Sequence, residues 1–181
     1  NFDRDGGYRE SVGYMRYAMQ YVDYFADALR CVSDENLFPH IPQNILKPVA
    51  DTLYRHNFQG QDTESVMDFG DAFGKAIFLE LYACLMRNAD EPLASTARAL
   101  QDRIFGEIPL NARALLWYDP ERPAGSLQLP RAVTLFEGIG VATFKTGSGR
   151  RGAHPALKTR QNRGHHDIGA MYFYSDRTRV V

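Results

Sequence analysis

DPERPAGSLQLPRAVTLFEGIGVATFK, Asp119 to Lys145, is where the chain changes character. Pro120, Pro123, Gly125 and Pro130 interrupt any regular element, so Asp119 to Pro130 reads as a linker. Beyond it, Ala132 to Phe136 and Val141 to Lys145 are short β-type runs on either side of Gly138 and Gly140, the pattern of a strand pair about a turn. Ala156 to Gln161, Ile168 to Tyr174 and Thr178 to Val181 continue the strand pattern. Helices first and strands afterwards predict an α+β chain of two packed sub-structures. The expected division is a helical portion over 1–118, a linker over 119–131 and a β portion over 132–181.

N-terminal to the linker the apolar period is that of helices. After a polar, glycine-containing entry at Asp3 to Gly7, Ser11 stands as N-cap of a helix running to about Val32. Tyr14, Tyr17, Tyr21 and Tyr24 recur on it at spacings of three and four and share one face. Such a stripe usually belongs to a core, yet each phenol needs a partner, which a polar cleft supplies readily. A second helix is expected from about Asn44 to His56, with Pro48 either kinking it or marking its first turn. Asn57 to Gly70 reads as a polar loop. Further helices are expected to about Asn88, from Glu91-Pro92 to about Phe105, and from Pro109 to Tyr118. Cys31 and Cys84 lie in apolar helical stretches without metal-type spacing and are expected to be buried as small hydrophobes.

With 181 residues, 44% hydrophobic and 24% charged, the chain has a globular balance, which excludes a disordered one. A net charge of -1 argues against a generally basic nucleic-acid binder. Locally, Lys145, Arg150, Arg151, Lys158, Arg160 and Arg163 follow one another with no acidic residue between them, which suits an anionic ligand or, equally, a solvated loop. No apolar run approaches the roughly 18 residues of a membrane span. Asn1 is not a start residue and Val180-Val181 ends in a β-like run, so the chain is expected to be an excerpt of something longer.

The densest chemistry is RGHHDIG, Arg163 to Gly169, where two histidines, an arginine and a carboxylate crowd between glycines. Loop imidazoles beside a carboxylate suit metal coordination or proton transfer near neutral pH. An ordinary polar surface turn has the same composition.

Four stretches resemble the heparinase II/III-like polysaccharide lyases, which include oligoalginate lyases. DGGYRESVGYMRYAMQY at Asp5 to Tyr21 is similar to the family's Asp-Gly-x-Tyr-x-Glu-Gly-x-x-Tyr segment. FGD at Phe69 to Asp71 fits, LFEGIGVATFKTG at Leu135 to Gly147 is similar to the strand pair opening its β-sandwich, and RGHHDIGAMYFY is similar to its His-x-His-x-Asp-x-Gly segment. The four occur in the family's order.

The resemblance implies the last helices of an incomplete (α/α) toroid followed by the first strands of an antiparallel β-sandwich. It implies β-elimination on a uronic-acid-containing glycan such as alginate or heparin, in a periplasmic or secreted enzyme, with this piece by itself inactive. Tyr14 falls on the family's catalytic tyrosine, expected to line a cleft, and a phenol of reference pKa about 10 acts as a base only beside positive charge. Arg9, Arg16 and Arg163 are the candidate substrate-binding cations. His165 is the metal candidate, for a structural zinc that one or two histidines do not complete, and His166 the acid/base candidate. Ser11 stands where the family has glycine, and Arg163 where it has the first histidine. A glycan binder without catalysis, and a metal-dependent hydrolase using His165, His166 and Asp167, are the alternatives.

Overall fold

The computed structural model describes residues 2–58, 61–67, 78–106, 111–127, 133–146, 153–159, 168–175 and 178–179. The chain is α+β with antiparallel sheets. It divides into two compact units that are each discontinuous in sequence. One takes Asn1–Tyr14, Lys47–Ala76 and Leu129–Val181; the other takes Met15–Leu46 and Ile77–Gln128. Secondary structure changes type at the expected linker, 119–131, but the compact units do not follow the linear division into 1–118 and 132–181.

The first unit is built on five strands in sequence order, each antiparallel to the next: β3 (Val133–Phe136), β4 (Val141–Phe144), β5 (Ala153–Lys158), β6 (Met171–Ser175) and β7 (Thr178–Arg179). Alternation of side chains separates two faces. On one face Phe136, Val141 and Ala156 pack with Met67, and Ile139 and Tyr172 lie against them. The register puts Thr134, Thr143 and Lys158 on that face, all buried. The opposite face carries Val133, Leu135, Phe144 and Met171, between 37% and 59% exposed.

The same unit holds a short α2 (Lys47–Thr52) and an antiparallel hairpin of β1 (Leu53–Phe58) and β2 (Gln61–Val66). Residues 53–56 were expected to extend a helix and 57–70 to be loop. Instead the strand partner reaches back to Leu53 by pairing with Val66, and tertiary pairing overrides the helical spacing of Ile45, Val49 and Leu53. Pro48 falls in the first turn of α2, where its missing N–H costs nothing.

Two of the lyase-like stretches are pressed together here. Asp3 to Gly7 closes into a turn through Asp3 N–H to the Gly7 carbonyl (2.8 Å) and Gly6 N–H to the Asp3 carbonyl (3.0 Å). Gly138, in the β3–β4 turn, donates its N–H to Asp5 Oδ2 at 3.4 Å. A Cβ at Gly138 would overlap the Asp3 carboxylate, so this glycine is required for the close approach.

In the second unit α3 (Leu79–Asn88) packs along α4 (Leu93–Phe105), and α5 (Ala112–Trp117) lies against α3. Ala83, Cys84, Ala94 and Ala97 are fully buried and let the helix backbones approach, while Tyr82, Leu85, Leu93 and Leu100 fill the core. Asn111 caps α5 by accepting the Ala114 N–H at 2.7 Å. The long helix α1 (Val12–Val32) turns Met15, Met19, Asp23 and Ala26 inward. The tyrosine stripe is not core: Tyr17 and Tyr21 are 61% and 55% exposed. Cys31 is exposed as well, against the expectation for it, because it lies off the inward face; Cys84 is buried as expected.

Candidate functional site

Tyr14 lies in the first turns of α1 and is 38% exposed, so its phenol is not sealed in an apolar core. Arg9 is exposed just before the helix. Arg16 stands two residues beyond Tyr14, and helix residues two apart point to different sides. It lines a polar pocket of the second unit with Gln20, Glu80 and Asn111, rather than flanking the phenol along the helix. Arg163, His165, His166 and Asp167 lie outside the described residues, as does FGD at Phe69 to Asp71.

The basic segment is not one solvated loop. Lys158 ends β5 and is 1% exposed, and Lys145 donates to the Leu53 carbonyl at 3.3 Å. Arg150, Arg151 and Arg160 lie outside the described residues. The signal for Lys158 was present in the alternation, since residue 158 must share a face with Ala156.

Ser11 does not cap α1. Its backbone sits at φ 95°, in the left-handed half of conformational space where glycine is the usual residue. Its Oγ is sealed from solvent and meets no hydrogen-bond partner among the described residues. The resemblance places a glycine at this position, and the backbone conformation is the one glycine tolerates. Ser11, with Tyr8, Arg9, Val12 and Lys158, lines a pocket of the first unit whose walls are Pro48, Met67, Phe136, Ile139 and Val141.

On α1 in the second unit, Tyr24 is the centre of a polar network. Its hydroxyl donates to Glu80 Oε2 and accepts from Gln20 (2.9 Å) and Arg113 (2.8 Å), and its ring stacks on Trp117 at 5.7 Å. Trp117 in turn donates its indole N–H to Asp27 at 2.8 Å. Tyr21 donates to the Tyr17 hydroxyl at 3.4 Å, and that hydrogen bond, with repulsion from the Tyr17 anion, pushes the Tyr21 phenol above its ordinary range. Neither exposed tyrosine of this pair is thereby prepared to act as a base.

Buried in the same unit, Asp23 has both carboxylate oxygens without a partner among the described residues. Burial, with repulsion from Asp27 and Glu80 added, holds its carboxyl well above the usual range. Among the described residues, no group of three or more His, Cys, Asp and Glu side chains is placed to hold a metal ion. No described helix is long and apolar enough to cross a membrane. No family model matches this sequence, and no curated protein is detectably similar to it.

Proposed function

We propose that this protein is a polysaccharide lyase that cleaves a uronic-acid-containing anionic glycan by β-elimination, on an (α/α) toroid joined to a β-sandwich. The observation that carries the reading is the joint between the lyase-like turns. Asp5 bonded to Gly138 ties the entry loop to the β3–β4 turn, and that loop leads directly into α1, whose first turns present the partly exposed Tyr14. The exposed apolar face of Val133, Leu135, Phe144 and Met171 supports the sandwich, because a second sheet packed about 10 Å away would cover it.

In this reading the Tyr14 phenolate removes the proton from the carbon beside the uronate carboxylate. That C–H electron pair becomes the new carbon–carbon double bond, the glycosidic C–O bond breaks, and a proton from His166 or the Tyr14 phenol goes to the leaving oxygen. Arg9 and Arg163 neutralise the carboxylate, without which the adjacent carbon is too weak an acid. His165 would hold a structural zinc, and no step passes through it.

The test is a continuous ultraviolet assay of the protein in its natural full-length form with alginate, hyaluronate and heparin. Elimination creates an unsaturated uronate and a rising absorbance. New reducing ends without absorbance would mean hydrolysis, and saturable binding without either would mean a glycan-binding protein; both reject the lyase reading.

A further inference from the structure

We propose that the pocket at the start of α1 is a binding site for a small organic carboxylate, held by Ser11, Lys158 and the first N–H groups of the helix. The inference does not depend on the lyase reading.

The first turn of any α-helix presents N–H groups with no partner inside the helix, and the N-terminal end of its dipole favours negative charge. α1 is 21 residues long, and its first residue, Val12, lines the pocket. A helix terminus alone is not a site. Here it is joined by a Ser11 hydroxyl that is buried, lines the same pocket and meets no partner among the described residues. Leaving a buried hydroxyl unbonded costs about 1–3 kcal/mol, which a ligand oxygen would recover.

Backbone strain points the same way. A side-chain-bearing residue at φ 95° costs on the order of 1–3 kcal/mol, and such strain is concentrated at functional positions. Glycine at this position would relax the backbone but remove the hydroxyl from the pocket.

The pocket also fixes the charge and shape of its ligand. Lys158 lines it from within the sheet and Arg9 from its exposed side, and no acidic residue is among its lining residues. Its remaining walls are the apolar Val12, Met67, Phe136, Ile139 and Val141. The empty space, mouth included, is about 390 Å³, at the small end of the roughly 300–1,000 Å³ of small-molecule pockets. A carboxylate head with a short apolar body satisfies both ends, whereas an inorganic oxyanion leaves the apolar walls without a partner.

Butyrate is the probe, with acetate and sulfate as comparisons, titrated into the protein at constant chloride and followed by amide chemical shifts and calorimetry. Saturable binding of butyrate is expected, tighter than acetate and sulfate, with shifts at Val12 and Gly13. Ser11→Gly is expected to raise the melting temperature while weakening butyrate at least fivefold, a combination that a purely structural role for Ser11 does not produce. Lys158→Met is expected to weaken it at least tenfold; should that variant fail to fold, Arg9→Ala, at an exposed position, is expected to weaken it about threefold. Absence of saturable butyrate binding, sulfate binding without butyrate, or unchanged affinity in Ser11→Gly would overturn the proposal.

Discussion

In the helical unit Asp23, Tyr82 and Gln101 hold polar atoms that are sealed from solvent and meet no partner among the described residues; in the sheet-bearing unit the atom in that position is Ser11 Oγ. Neither Asp23, Tyr82 nor Gln101 lines the pockets described above, whereas Ser11 lines one that also holds a lysine and the start of a helix. Burial acts on the first set as a stability cost. Burial pushes the Tyr82 phenol well above its ordinary range, as it does the Cys84 thiol, so both stay protonated and inert. Beside a cation and a pocket, the same kind of orphan becomes a means of recognition. Chemistry therefore belongs to the unit that contains Tyr14 and Lys158, and the helical unit contributes stability.

The largest expected effect tests that assignment through catalysis. Tyr14→Phe removes only a hydroxyl and is expected to lower lyase turnover at least 100-fold, within the about 10²–10⁴-fold typical of general acid–base catalysis. The melting temperature should change by no more than a degree or two. Turnover within twofold of wild type would take chemistry away from this helix.

Next in size is the joint between the two lyase-like turns. Gly138→Ala forces a Cβ into the Asp3 carboxylate, and overpacking of this kind costs about 1–3 kcal/mol. Urea denaturation should show a loss in that range, and Asp3→Gly in the same background should restore most of it. A neutral Gly138→Ala would mean that the entry loop is not held against the β3–β4 turn.

The smallest effect belongs to the helical unit. Because the folded state raises the pKa of Asp23, it binds that proton more tightly than the unfolded chain does. The associated stability is fully present below the unfolded pKa of about 3.9 and is lost as pH rises through the raised folded value. Asp23→Asn cannot ionise, so it should be more stable than wild type at pH 7 by about 1 kcal/mol, with the gain disappearing below about pH 4. Denaturation curves at the two pH values measure the difference. A gain that persists in acid would show that shape, not charge, is what Asn improves.

Much of the element order was legible before the fold was known. The glycine and proline spacing of residues 119–145 marked the linker and the β3–β4 turn, and Gly138 proves to be required by Asp3. Helical periods located α1, α3, α4 and α5 because each buries one continuous face against neighbours close in sequence. The β1–β2 hairpin was missed because residues 53–58 carry a helix-compatible spacing, and only pairing with residues 61–66 decides between the two. Of the site, Tyr14 and Arg9 were read from a resemblance and lie where a ligand can reach them, while the histidine loop is outside the described residues.

By itself the sequence determined what local forces control: where helices start and stop, where strands alternate, and where a turn demands glycine. Only the tertiary structure decided which face of α1 is buried, because tyrosine and methionine stripes lie side by side on that helix and either can pack. It alone took Lys158 out of a basic run and into a pocket, and set Ser11 in a conformation that keeps its hydroxyl from the capping position. Burial and backbone strain depend on neighbours distant in the chain, and no window of sequence contains them.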